Sequence, residues 1–570
     1  SLLASGSDDQ HMMLWDPFHH KKLLSMHTGH TANIFSVKFL PHSGDRILIT
    51  GAADAKVHVH DITSRETLHV FSEHTNRVKR IATAPLWPNT FWSAGEDGLI
   101  RQYDLRESGT HSEVLIDLTE YCGQLVEAKC VSISPQDNNC LAVGASGPFV
   151  RLYDIRMIHS HRPLRLHLPV IPNLGHLPVK LPDYNNRLRV LVATYVTFSP
   201  DGTELLVNMG GEQSQFVLNA MIGTGASSYT LPYFLLHTIF HFNPILLFLI
   251  SPCDYTLTPS RAAADLPPHL EKVKQKANDA FARQQWSQAI ELYSEAVQRA
   301  PGSAMLYGNR AAAYMKRKWD GDHYDALRDC LQALALNPAH LKAHFRLARC
   351  LFELHYVSEA LECLEEFKVK FPDQARSSAC DALDRDIRVA LFSKNDSLKG
   401  ILGTNSLRLL ENSYLHGFII KAKITRNRVI RNCSAYLNII HLFLFSAFTD
   451  EDKKGGSVRL RSGGRKDSLS EDELLLRERS LDYKHRYCGH CNTTTDIKEA
   501  SFMGSNGQYI VSGSDDGSFF IWEKDTQALI RVLQGDESIV NCLQPHPTYC
   551  FLATSGIDPV VRLWSPRPEV

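Results

Sequence analysis

Tyr509–Glu523 reads YIVSGSDDGSFFIWE: a short apolar run, a Ser/Asp/Gly turn, a second run and a closing aromatic-acid pair. Runs of about five residues that alternate or stay apolar suit half-buried or fully buried strands. Asp516-Gly517 falls where a hairpin must reverse, and glycine supplies positive φ without a steric cost. The same order occurs at Leu2–Asp16, Ile47–Asp61, Phe91–Asp104, Cys140–Asp154 and Phe551–Ser565. Asp16 to Asp61 is 45 residues, Asp61 to Asp104 is 43, and Glu523 to Ser565 is 42. A fixed step of that size is the period of a propeller blade.

These segments resemble WD40 repeats. Gly29-His30 and Trp15-Asp16 match the two dipeptides of that family, while His60-Asp61, Tyr103-Asp104, Trp522-Glu523 and Trp564-Ser565 depart at the second. A weaker unit spans Tyr195–Asn219, with no closing aromatic-Asp and so a doubtful last strand. Seven units result, five before a long gap and two after it. The first begins at its middle strands, which compromises closure of the ring; that start, without Met, reads as a fragment or an incomplete gene.

Inside the gap the rhythm changes to 3.6 residues. Residues 270–372 fit the 34-residue tetratricopeptide pattern. Ala277, Ala280, Ala289, Tyr293 and Ala296 precede Pro301; Ala311, Tyr314, Ala326, Cys330 and Ala333 precede Pro338; Ala348, Leu351, Ala360, Leu364 and Phe367 precede Pro372. Small residues let paired helices approach, and proline ends each pair. Pro301 to Pro338 is 37 residues and Pro338 to Pro372 is 34, so three extra residues fall in the Lys316–Tyr324 turn. Three helix pairs reach the minimum for a self-supporting stack. The fold expected is therefore a mixed β and α repeat protein: a seven-bladed WD40 β-propeller, incomplete at its N-terminus, with the helical stack between blades 5 and 6.

The domains expected are blades 1–5 over 1–219, an apolar block over 220–262, the helical stack over 263–396, an unassigned block over 397–448, a charged flexible linker over 449–480 and blades 6–7 over 481–570. Residues 213–253 contain no Asp, Glu, Lys or Arg, and Leu231–Ile250 is long enough to span a bilayer. Pro232, Pro244, His237, His241 and Asn243 argue against a span, and so does the lack of a second one to bring the chain back. Both odd blocks read as mis-spliced insertions.

The net charge of −1 gives no global basic field, so direct nucleic-acid binding is not expected. The 13 scattered cysteines form no dense framework, which fits a reducing, intracellular setting. No Walker loop, HExxH or GxSxG occurs, and nothing suggests an enzyme or a cofactor. The acidic pairs Asp8-Asp9 and Asp515-Asp516 are turn residues, and His58 and His60, at strand spacing, are structural. Cys488-Gly-His490-Cys491 supplies half of a zinc site, with Cys488 and Cys491 the weak candidates for metal. In the linker, Ser468 follows Arg465 by three residues and Ser470 precedes Glu471-Asp472-Glu473, flanks that charge-directed kinases read.

Tyr103-Asp104-Leu105-Arg106 and Tyr153-Asp154-Ile155-Arg156 each place Arg two residues after a blade-ending Asp. Arg presents a rigid five-donor fork suited to an acidic or carbonyl-lined partner. The two segments resemble the [Trp/Tyr]-Asp-x-Arg box of WD40 substrate receptors for cullin-4 RING ubiquitin ligases. That resemblance implies docking onto the ligase's adaptor propeller. In the helical stack, Lys276, Asn309, Lys342 and Arg346 are spaced as a clamp for a peptide carboxylate, with Asn278 an alternative to Lys276. The competing reading that follows is a chaperone-type or histone-deacetylase adaptor without ligase docking.

An interrupted WD40 ring that carries tetratricopeptide repeats resembles the adipose family of WD and tetratricopeptide repeat proteins. The likeness covers roughly 30–212, 266–396 and 449–570 and is clearest at Arg310–Ala333, Tyr487–Glu499 (YCGHCNTTTDIKE) and Tyr509–Trp522. It implies a non-catalytic substrate receptor of a cullin-4 ligase. It also implies histone and histone deacetylase partners and restraint of fat storage, in nucleus and cytoplasm.

Overall fold

The computed structural model describes residues 2–107, 111–136, 138–147, 149–158, 192–210, 212–219, 266–319, 321–401, 470, 473, 483–495 and 497–566. Seven antiparallel sheets follow one another. They are built from strands within 3–27, 34–71, 78–117, 128–154, 192–219, 500–534 and 540–564, and the fifth takes in one further strand, His485–Asn492. The first strands of neighbouring sheets touch in succession from the second sheet to the seventh, and the first sheet touches the second. The blade pattern legible in the sequence thus becomes a ring of seven sheets. The apolar block 231–250 and Ser468 lie outside the described residues. Among the described residues, no helix is long and apolar enough to cross a membrane.

The strands form where alternation demanded them. Leu48, Ile49, Val57 and Val59 are fully buried in the second sheet, and Trp92, Leu141 and Val143 lie in the core that joins the third sheet to the fourth. Gly98 and Gly517 hold positive φ in their hairpin turns. A Cβ on Gly517 would also meet the Asp536 carbonyl at 2.6 Å.

Two sheets are laced by a chain of polar groups from a turn carboxylate to a strand aromatic. In the second, the Asp54 carboxylate faces His30 Nδ1 at 3.0 Å, His30 Nε2 meets Thr50 Oγ1 at 2.9 Å, and Thr50 Oγ1 meets His60 Nε2 at 2.9 Å. In the third, Asp97 faces His74 Nδ1 at 2.9 Å, His74 Nε2 meets Ser93 Oγ at 2.6 Å, and Ser93 meets the Tyr103 hydroxyl at 3.0 Å. A carboxylate only accepts, so each Nδ1 carries the proton. Burial works to raise the Asp54 pKa, but hydrogen bonds from His30 and the Thr31 N–H hold it down to about 2. The Gly29-His30 dipeptide is therefore a structural lace, and so is His60, as the spacing of the histidines suggested.

The ring is also braced across its centre. Arg80, from the first strand of the third sheet, donates to Glu499 Oε1 at 2.6 Å and lies over the Tyr195 ring. The first sheet has three strands, as expected of an incomplete blade. Closure is nevertheless achieved. Phe18 of the first sheet stacks on Phe551 at 5.9 Å and meets Tyr549 and His546 edge-on at 5.7 and 5.6 Å. Aromatic contact joins the two ends where strand pairing does not.

Six helices make the stack: Pro268–Ala282 with Trp286–Arg299, Ala304–Arg317 with Asp322–Leu336, and Leu341–Glu353 with Val357–Lys370. The small residues face inward; Ala277, Ala289, Ala311, Ala326, Ala333, Ala343, Ala348 and Ala360 are fully buried. A second compact unit begins at Lys368, and its helix Ser378–Ile401 pairs Asp384 with Arg388 Nε at 3.0 Å.

The insertion point differs from the expectation. Strand His485–Asn492 pairs with Glu212–Asn219 and completes the fifth sheet as its outer strand. The helices therefore interrupt the fifth blade rather than separate it from the sixth, and the fifth unit's doubtful strand is present. The reason is a buried ionic weld. Arg486 on the returning strand donates through Nε to Asp325 (2.7 Å) and through Nη2 to Asp322 (2.5 Å). Arg317 donates to both oxygens of Asp322, at 2.9 and 2.8 Å, and the Tyr483 hydroxyl donates to Asp325 at 2.8 Å. Arg486 and Asp322 are 1% and 0% exposed. Burial disfavours the Arg486 charge, and Asp325, Cys488 and Asp322 outweigh it, so its pKa rises. Asp322, within the Lys316–Tyr324 stretch read as a turn, is the first residue of the helix Asp322–Leu336.

Removing one partner of such a network leaves an uncompensated buried charge, a loss of about 3–5 kcal/mol. Arg486→Met is expected to lower stability by that order in urea denaturation. Adding Asp322→Asn and Asp325→Asn should return part of it; a single variant as stable as wild type would contradict the weld.

Candidate functional site

Each early blade ends in Asp because its carboxylate caps the turn that follows, as short Asx side chains do. Asp16 Oδ1 accepts the Phe18 N–H at 3.0 Å, Asp61 Oδ1 that of Thr63 at 2.8 Å, Asp104 Oδ1 that of Arg106 at 2.9 Å, and Asp154 Oδ1 that of Arg156 at 3.1 Å. In the last two the residue at the capped position is Arg, and its side chain folds back onto the same carboxylate. Arg106 donates Nε to Asp104 Oδ1 at 3.0 Å and Nη2 to Oδ2 at 2.5 Å. Arg156 repeats this on Asp154 at 3.0 and 2.6 Å. The two boxes thus share one geometry. Arg106 and Arg156 are 67% and 65% exposed. The Arg106 hydrogen bond holds the Asp104 carboxyl below the usual range. On the second blade Arg46, just before the strand Ile47–Ala52, also reaches Asp61, but with both Nε (2.7 Å) and Nη2 on the one oxygen Oδ2. That third member carries no box motif, and only the fold reveals it.

The tyrosines of the boxes have another task. Tyr103 and Tyr153 are 1% and 4% exposed. Tyr103 ends the third-sheet lace and stacks on Phe91 at 4.6 Å. They anchor the turns from within, and the arginines are what a partner would meet. Beside the first box a cavity of about 310 Å³ opens between the second and third sheets. Leu40, Pro41, Val59, Leu68 and Leu105 line it, with His42 at its edge. Leu105 is the residue between Asp104 and Arg106, and its N–H is fixed on the Asn89 carbonyl at 2.9 Å. An apolar hollow next to a charged fork is a surface that can seat one apolar side chain and one acid.

The stack's predicted clamp is only partly assembled. Lys276 and Lys342 are exposed, and Asn309 and Arg346 are half-buried. Arg346 Nη1 donates to the Gly308 carbonyl at 2.6 Å, and burial lowers its pKa. Asn278 accepts the Tyr293 hydroxyl at 2.6 Å. Two residues apart on a helix is about 200° around it, so Lys276 faces away from Asn278. Lys274, one turn before Asn278, shares its face and pairs with Glu271 at 2.5 Å.

The zinc candidates do not converge. Cys488 lies among Arg486, Arg317, Asp322 and Asp325, where burial pushes its thiol up. Cys491 Sγ instead contacts Thr493 Oγ1 at 3.4 Å. His490, between them, turns Nε2 to Asn208 Oδ1 at 3.3 Å. Among the described residues the donors that do converge are His30, His58 and His60, within 4.8 Å of one another. Both ring nitrogens of His30 and of His60 are already spent in the lace.

Comparison with known proteins finds both kinds of repeat. The tetratricopeptide repeat profile matches residues 320–379, and the WD domain, G-beta repeat profile matches 21–61, 482–523 and 527–565. The human "WD and tetratricopeptide repeats protein 1" is 64% identical over the whole of this chain and 82% of its own length. "Protein ALTERED SEED GERMINATION 2" of Arabidopsis thaliana is 34% identical over the whole chain and 84% of its length. The human "DDB1- and CUL4-associated factor 6" is 22% identical over the whole chain and 85% of its length.

Acid is expected to loosen the second and fifth sheets. Burial is the main cause that pushes His60 and His490 down to about 3. The unfolded chain takes up protons near pH 6.5, whereas the folded chain does not until far lower. Stability is therefore complete above pH 6.5 and falls as pH drops toward 3, by up to about 1.4 kcal/mol per pH unit for each histidine. Urea midpoints measured from pH 7.5 to 5 should decline, and less steeply in His60→Gln. An identical slope in that variant would contradict the assignment.

Proposed function

The chain belongs to the family of WD and tetratricopeptide repeats protein 1, and from that premise we propose that it is a non-catalytic receptor. It docks on the propeller adaptor of a cullin-4 RING ubiquitin ligase and holds a substrate there. The observation that carries the reading is the repeated box. Arg106 and Arg156 on adjacent blades fold onto their own Asp residues in one geometry and stay mostly exposed. A guanidinium held in place by its own carboxylate loses less side-chain freedom when it meets a partner. The printed name of the 22%-identical human relative supports the same assembly. The apolar hollow at Leu105 supplies the desolvated contact that charged rims lack.

Both modules are binders. The ring offers a rim and the stack a concave face, so one holds the ligase while the other holds the substrate. Ubiquitin transfer belongs to the associated ligase. By family resemblance we take histones and a histone deacetylase as partners, in nucleus and cytoplasm. A second reading rests on the stack. Lys342 and Arg346 stand one turn apart, as do Lys274 and Asn278, an arrangement that suits an acidic C-terminal tail.

Affinity recovery from cells tests the first reading with Arg106→Ala/Arg156→Ala. The folded double variant is expected to recover the adaptor at least tenfold less than wild type. Equal recovery makes the arginines structural. Loss of a Glu-Glu-Val-Asp tail peptide in Lys342→Ala/Arg346→Ala, with adaptor recovery unchanged, would separate the second reading from the first.

A further inference from the structure

Ser470 and Glu473 belong to the charged stretch that precedes the returning strand, yet both sit on the propeller. The Ser470 N–H donates to the Cys122 carbonyl at 2.9 Å, and its hydroxyl donates to the Tyr121 carbonyl at 2.9 Å. The same hydroxyl oxygen accepts the Glu473 N–H at 3.2 Å. This is the arrangement by which a serine caps a helical turn. The cap aims Glu473 inward. Arg151, on the third strand of the fourth sheet, donates Nη2 to Glu473 Oε1 at 2.5 Å and to Cys122 Sγ at 3.4 Å. Arg151 and Glu473 are 3% and 0% exposed. A peptide from more than 300 positions away thus neutralises a buried arginine of the ring.

The sequence around the cap is Ser470-Glu471-Asp472-Glu473. A kinase that selects serines followed by acids needs those carboxylates in its own basic site. In the folded protein the carboxylate three residues on is enclosed by Arg151, and the Ser470 hydroxyl is spent on Tyr121 and Glu473. Kinase and propeller require the same two groups.

We propose that Ser470 is a phosphorylation site for an acid-directed serine/threonine kinase, latched by the Glu473–Arg151 pair so that modification and docking of this strap exclude each other. In the transfer, Ser470 Oγ forms a bond to the γ-phosphorus of ATP, the bond to the bridging oxygen breaks to release ADP, and the hydroxyl proton passes to the kinase's base. The product has no proton to give the Tyr121 carbonyl. It also adds a charge of about −1.5 to −2 to a segment that already carries three acids. Capping and latch fail together, the strap leaves, and the Arg151 slot opens to solvent. The switch does not depend on ligase docking.

The test uses the full chain with Ser468→Ala as background, an acid-directed kinase and ATP, and site occupancy at Ser470 by mass spectrometry. Arg151→Met frees the strap without touching the recognition sequence and is expected to raise the rate of Ser470 phosphorylation at least fivefold. Adding Glu473→Gln should abolish that gain, because the kinase loses its acid. Where Arg151→Met fails to fold, Arg151→Gln takes its place, with the same gain in Ser470 phosphorylation expected. Equal phosphorylation rates in folded Arg151→Met and in the background chain would overturn the latch. So would Ser470 left unmodified in Arg151→Met while a free 465–479 peptide is modified.

Discussion

Arg486 has to find Asp322 and Asp325, and much of the molecule is arranged around that requirement. The chain leaves the fifth sheet after Asn219 and rejoins it at His485. Strand pairing alone would fix the register of the return but not the place of the helices. The weld does both, since its arginine is on the sheet and its carboxylates are on the second helix pair. Such a network adds little net stability over apolar packing, but it tolerates no misplaced member. It turns two repeat systems of different period into one compact unit. Lys484 and Lys524 extend it by closing on Glu204 from two sides, at 2.7 and 2.8 Å.

The ring and the stack were legible because each is written several times. Six matching hairpins and three proline-ended helix pairs leave little freedom, and binary patterning decides the rest. The insertion point was not legible. The sequence repeat runs from an outer strand of one sheet into the next, so Tyr487–Cys491 reads as the start of a sixth unit although it pairs backward. Closure was misjudged for a related reason. A missing strand is visible in the sequence, whereas Phe18 reaching Phe551 is a contact between residues more than 500 positions apart with no pattern to announce it.

At the candidate site the division is sharper still. The motif announced two arginines, and both are mostly exposed with matched geometry. It could not tell which members of the box face a partner. Tyr103 and Tyr153 carry the same motif weight as their arginines and are buried, because the residue before the capping Asp points into the sheet by the two-residue alternation. Arg46 covers Asp61 with no motif, since it reaches that carboxylate from elsewhere in the chain. In the stack, angular reasoning sets Lys276 apart from Asn278 on one helix, whereas the Arg346–Gly308 contact needed the neighbouring helix.

The interrupted fifth sheet also imposes a schedule on synthesis. Its fourth strand emerges some 265 residues after its third, an interval of roughly 13–50 s at about 5–20 residues per second. During that time the nascent chain holds a partial ring with an open edge, the kind of surface that pairs with the wrong strand. The helices, whose contacts are local, can form while it waits. The assembly line therefore delivers a finished binding stack before it delivers a closed ring, and anything that shelters nascent strands has its longest task between Asn219 and His485.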